Sequence, residues 1–196
     1  MRAFNALHIP RPDLPAERRA LFERPNLDLE IGAGQGLHAI QYCSAHPDRM
    51  LIAIERTHTR FAQLVRRLNA HPTLTNLVPI QADAVSLVTH YLRDESLGRI
   101  YLLYPNPYPK AKQANLRWHN RPFMSELIRK LAPNGKLILA TNIPSYADQA
   151  RETLVDTWRL TLAEDRPIGT GEPPRTHFEK KYLARGEPCR NLVFWK

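Results

Sequence analysis

Three short apolar runs in this chain end in an acid, at Glu30, Glu55 and Asp83, and helix-length segments separate them. Runs of that length read as strands buried on both faces. Alternating strands and helices build an α/β fold with a doubly wound parallel sheet, and right-handed crossovers carry every strand's C-terminal end to one edge. The three carboxylates therefore meet on that edge.

The first run feeds Gly32, Gly34 and Gly36 at alternate positions. Glycine accepts positive φ and lets the backbone lie against a ligand, and a helix over residues 37–46 points free N-terminal amides into the same space. Such a turn suits a nucleotide. The dinucleotide pattern needs a small residue where Leu37 stands, and Glu30 opposes a pyrophosphate. S-adenosylmethionine fits instead, because it carries an ammonium and a sulfonium and no phosphate. Glu55 lies about twenty residues past the glycines, where a carboxylate accepts ribose hydroxyls. Asp83 lies at the depth of an adenine contact.

At 196 residues the chain is one domain of ordinary size, and its formal charge of +9 suggests a polyanionic partner such as RNA. Cys43 and Cys189 have no C-x-x-C spacing and read as small core side chains, so no metal site is expected. No apolar run nears the eighteen residues of a membrane span and no signal peptide is evident, which predicts a cytoplasmic protein without a membrane partner.

Residues 1–25, with Pro10, Pro12, Pro15 and Pro25 among arginines, read as a solvated N-terminal arm carrying one short helix over 16–24. The methyl-donor domain is expected over 26–196. Further strands are expected at 98–104 and 136–141, helices at 59–69, 84–91, 122–131 and 145–157, and a closing antiparallel pair at 159–163 and 191–195. Residues 169–181 form a polar insertion too long for a mere connector. After the fourth strand, Pro105, Pro107 and Pro109 hold the chain extended and stiff, which suits a loop that grips a substrate. Lys110, Lys112, Arg117, His119 and Arg121 follow, with Trp118 among them, and offer charge for phosphates and one face for stacking. A charged surface loop whose tryptophan covers the core is the plainer alternative.

From Leu27 onward these residues resemble the bacterial tRNA (guanine-N7)-methyltransferases. The family's E-I-G-x-G-x-G corresponds to Glu30 through Gly36, and its F-P-D-P-W-P-K loop to Tyr104 through Lys110. Its A-T-D after the fifth strand corresponds to Ala140, Thr141 and Asn142, and its T-x-F-E to Thr176 through Glu179. The resemblance implies a Rossmann-like class I methyltransferase with a seven-stranded, mostly parallel sheet, S-adenosylmethionine as cofactor, and tRNA or another structured RNA as substrate. It implies that Gly32, Gly34 and Gly36 line the methionine end, that Glu55 takes the ribose, and that Asp83 with Ala84 lies near the adenine. Arg56 joins the cofactor-binding set. Tyr108, Lys110, Thr176 and Glu179 would seat the guanosine.

Where the family carries aspartates, in the proline loop and after the fifth strand, this chain has Asn106 and Asn142, which become the expected catalytic positions. Guanine N7 attacks through a lone pair, so methyl transfer there needs alignment rather than a base. A carboxylate would hold the guanine N1–H and amino group and favour the developing cation. Asparagine accepts without formal charge, and charged hydrogen bonds are roughly twice as strong as neutral ones. Three readings stay open: N7-methylation with weaker acceptors, methylation of an exocyclic amine or small molecule, and a cofactor- or RNA-binding paralogue with little catalysis. The second is prompted by Asn-Pro-Tyr, which resembles the N-P-P-Y loop of amine and amide methyltransferases.

Overall fold

The computed structural model describes residues 3–196. Its strands are β1 (Leu27–Ile31), β2 (Met50–Glu55), β3 (Leu77–Gln81), β4 (Leu97–Leu103), β5 (Leu131–Thr141), β6 (Thr161–Pro167) and β7 (Arg190–Trp195). They form one seven-stranded sheet in the order β3-β2-β1-β4-β5-β7-β6. β1 to β5 run parallel, and β7 lies antiparallel between β5 and β6. The α-helices are α1 (Ala16–Ala20), α2 (Leu37–Ala45), α3 (His58–Asn69), α4 (Ala84–Tyr91), α5 (Met124–Lys130), α6 (Pro144–Glu152) and α7 (His177–Leu183). The doubly wound sheet with a closing antiparallel pair matches the sequence reading.

The differences are local. The helix expected over 145–157 ends as α at Glu152 and continues as a π turn over Thr153–Thr157. β5 begins at Leu131 because Leu97 pairs with Leu131 while Arg99 pairs with Lys136, so residues 132–135 bulge out and contain the expected Asn134-Gly135 turn. The polar insertion supplies α7. No described helix is long and apolar enough to cross a membrane, and both cysteines are buried and free.

Strand alternation sorts the core into two layers. Leu27, Leu29 and Ile31 of β1 pack with residues of α4, α5 and α6, whereas Leu51 and Ala53 of β2 pack with Ala39, Ile40, Cys43 and Leu64 of α2 and α3. The layer carrying α2 also encloses Asp28, which accepts from Arg49 at 2.5 and 2.6 Å and from the Tyr42 hydroxyl. Gly98 leaves room for that guanidinium: a Cβ there would sit 2.2 Å from it.

The N-terminal segment is exposed along most of its length, as expected of a solvated arm, but it is anchored at Leu14 and Phe22. It crosses the sheet's other layer and is held by both apolar and polar contacts. Leu14 and Phe22 are buried, Phe22 stacks on Tyr91 at 5.9 Å, and Phe4 packs on Phe123. His90 contacts the Ile9 carbonyl oxygen at 2.8 Å, and the Tyr91 hydroxyl donates to that of Pro12 at 2.5 Å. The short helix expected over 16–24 is present as α1 and a 3-10 turn over Leu21–Glu23, and that turn carries the buried Phe22. Phe22→Ala is expected to lower unfolding free energy by about 3 kcal/mol in urea melts, the cost of emptying a filled aromatic site. A solvated arm would leave the midpoint unchanged.

Candidate active site

β1 leads to α2 on one side of the sheet and β4 leads to α5 on the other, so the chain parts between these adjacent strands. Ligands of open α/β sheets bind at such a parting. A cavity of about 500 Å³ lies there, running from the glycine turn to the proline loop.

The glycine turn is an extension of the β1–β2 ladder. Gly32 and Ala33 donate to the Ile54 carbonyl at 2.8 and 2.9 Å. Gly34 donates to Glu55 Oε2 at 2.9 Å and Thr57 to Glu55 Oε1 at 2.7 Å, so one carboxylate ties the turn to the end of β2. At Gly32, φ is +80° and open space lies where a Cβ would sit. Gly36 lies apart from the other two glycines. It is absent from the cavity lining, and a Cβ there would come within 2.8 Å of Leu64 Cγ, so its bareness lets α2 close on α3.

Glu30 lines the cavity at 2% exposure. Its Oε2 stands 3.0 Å from His38 Nδ1 without hydrogen-bond geometry, and neither atom has another partner. Asp83 caps α4, accepting from Val85 at 2.9 Å and Ser86 at 3.3 Å. Asp83, Ala84, Glu55 and Arg56 all line the same cavity. The three acids thus converge as expected, and only Glu30 keeps a buried oxygen unused.

The other half of the cavity is walled by the proline loop, where Tyr104 and Tyr108 adopt φ of +52° and +45°. Left-handed backbone in a bulky residue costs on the order of 1–3 kcal/mol and persists only where the surroundings enforce it. Here they do. Arg117 donates to the carbonyls of Pro107 at 3.0 Å and Tyr108 at 2.9 Å, and Asn106 Oδ1 accepts from the Tyr108 amide at 3.1 Å. The Tyr104 hydroxyl donates to Glu179 at 2.7 Å, and the Arg175 side chain donates to the same oxygen at 2.9 Å.

In this structure Glu179 acts as a clamp between Tyr104 and Arg175: it is fully buried and lies outside the cavity lining. Burial favours its neutral form, but Arg175, through side chain and backbone amide, holds the carboxyl below its usual range. Thr176, Asn106 and Tyr108 reach the cavity, whereas Lys110 and Asn142 stand outside it. Asn142 Nδ2 donates to Glu187 Oε2 at 2.8 Å. Lining residues that spacing did not single out include His38, Arg60, Tyr104 and Phe178. The Arg60 guanidinium lies 5.5 Å from the centre of the Phe178 ring, which is 38% exposed. Among the described residues no group of three or more His, Cys, Asp and Glu could hold a metal ion.

Behind the loop, the basic stretch divides. Trp118 and Arg121 face the cavity, with the guanidinium 4.9 Å from the indole centre. His119 does not join them. It is buried against Tyr146 at 4.8 Å with neither ring nitrogen bonded, and burial, aided by Arg117, pushes its pKa down to about 4. The unfolded chain therefore binds the extra proton between about pH 6.5 and 4, so the stability contribution is whole above that window and lost on descending through it. Between about pH 7.5 and 5 the parent is expected to lose about 2 kcal/mol more than His119→Phe in urea melts.

A family model described as "Putative methyltransferase" matches residues 25–192. A tRNA (guanine-N(7)-)-methyltransferase of Nitrosomonas eutropha is 34% identical over 96% of this chain and 84% of its own length. One from Treponema pallidum is 32% identical over 87% and 67%. Among solved structures, the 16S rRNA methyltransferase KamB superposes with a TM-score of 0.68 at 16% identity over 94% of each chain, a likeness of fold alone.

Proposed function

The chain belongs to the tRNA (guanine-N7)-methyltransferase family, and from that premise we propose that it methylates N7 of a guanine in tRNA with S-adenosylmethionine as donor. The observation that carries the donor is the Glu30 oxygen buried at the cavity without a hydrogen-bond partner. A buried polar atom left unpaired is costly, and an ammonium group would satisfy it. The open space at Gly32 gives the methionine end room beside it.

When bound, S-adenosylmethionine supplies a sulfonium methyl group, which the guanine N7 lone pair takes as the S–C bond breaks and sulfur keeps the electron pair. No proton moves. What the chain must supply is alignment and a place for the positive charge that passes to the guanine. Glu55 keeps lone pairs for ribose hydroxyls beyond those accepting from Gly34 and Thr57, and Asp83, Ala84 and Arg56, which line the same cavity, would hold the adenine end. Tyr108 and Trp118 offer faces on which the base stacks. Asn106 Oδ1 has a second lone pair for a guanine N–H, and Thr176 caps α7 at the same wall. Lys110, outside the cavity, is suited to a phosphate.

The experiment is incubation with unmodified tRNA and methyl-labelled cofactor, followed by borohydride and aniline. Cleavage at a labelled guanosine is the expected result. Label without cleavage would point to a different acceptor atom, and absence of label to a non-catalytic paralogue. Glu30→Gln is expected to weaken S-adenosylmethionine binding at least about tenfold by calorimetry, as loss of a buried charge partner does. Asn106→Asp, which restores a charged acceptor, is expected to raise the N7 rate, read as kcat at saturating tRNA.

A further inference from the structure

We propose that Glu187 is a positioning residue for the acceptor site: it holds Asn142 with its oxygen outward and returns to that point the negative charge an aspartate would carry. The inference rests on the N7 reading above.

A carboxylate can only accept hydrogen bonds, so the end of the Asn142 amide that faces Glu187 must be its NH2 group. That contact, at 2.8 Å, fixes the side-chain flip and leaves Asn142 Oδ1 as the acceptor end. Tyr104 N donates to the Ala140 carbonyl at 2.7 Å, so Asn142 leaves the sheet beside the strand end that begins the proline loop. It lies outside the cavity lining, two residues past the Ala140 carbonyl that Tyr104 reaches.

The turn that carries Glu187 is a closed helix end. α7 has its capping residue, Thr176, in the cavity wall. Its other end closes on Gly186, at φ +68°, with Gly186 N donating to Leu183 O and Glu187 N to Tyr182 O, each at 3.0 Å. Gly186 takes the left-handed conformation that ends a helix in this way. Arg185 pairs with Glu187 at 3.7 Å on the surface, and exposed pairs of that kind are weak. A hydrogen bond from an amide to a carboxylate also polarises the amide and makes its oxygen a better acceptor. Glu187 thus acts on the guanine through Asn142.

The test is a charge swap in the full-length protein with Glu187→Gln, Asn142→Asp and the two combined. Glu187→Gln is expected to lower kcat about tenfold with the tRNA KM and thermal midpoint near the parent's. The double variant, with the carboxylate moved to position 142, is expected to recover to within about threefold. Without cofactor, the parent should bind tRNA bearing the target guanosine about threefold tighter than tRNA bearing inosine there, and Glu187→Gln should erase that preference. A parent that forms 7-methylguanosine while Glu187→Gln stays within twofold of it, or a double variant as slow as Glu187→Gln, overturns the proposal alone. A parent that forms no 7-methylguanosine overturns the N7 reading, and the cofactor-free comparison then decides whether Glu187 governs guanine recognition.

Discussion

The carboxylate of Glu55 accepts from Gly34 on one oxygen and from Thr57 on the other, and the donor half of the cavity depends on both bonds. Gly32 and Ala33 already donate to Ile54, so the turn after β1 is an overhang of the sheet. Glu55 fastens its far end. Because the fastening is a side chain at the end of β2, the position of the turn is set by the register between Ile31 and Ile54. The glycine turn is therefore as rigid as the sheet that carries it, which is what a site requiring alignment needs.

The acceptor half is held by a different logic. The β4–β5 ladder reaches only the loop's first residue, Tyr104, and two tyrosines in the loop have left-handed backbone. Arg117 pins its middle from one side, and the buried Tyr104–Glu179–Arg175 chain pins its start from the other. Proline reduces the conformations available before folding, so the clamps oppose less chain entropy than they would in a glycine-rich loop. One half of the cavity is stiff by backbone pairing and the other by proline and charged anchors.

The sheet and the donor site were legible because their signals are local: an apolar run, an acid at its end, a glycine where the chain turns. Glu30, Glu55 and Asp83 could be assigned to one edge without knowing any contact. Residues whose meaning depends on a partner distant in sequence were not legible. Gly36 looks like its neighbours, yet answers to Leu64. Glu179 sits in a motif that implies substrate contact, and only the fold reveals Arg175 and Tyr104 around it. His119 reads as part of a basic patch, but the short helical turn Trp118–Asn120 directs Trp118 outward and His119 inward. Arg60 falls on an amphipathic helix where nothing in the pattern separates it from solvated neighbours. The anchoring of the N-terminal segment belongs here too, since proline spacing is silent about which side chains, here Leu14 and Phe22, dock on the core.

The contact between Arg60 on α3 and Phe178 on α7 spans the two walls of the cavity at its solvent side. A cation over an exposed aromatic ring is worth roughly 0.5–1 kcal/mol, close to thermal energy. A latch of that strength is open for an appreciable share of the time without any ligand to release it. When apart, the same ring and guanidinium present a flat face and a positive charge at the opening.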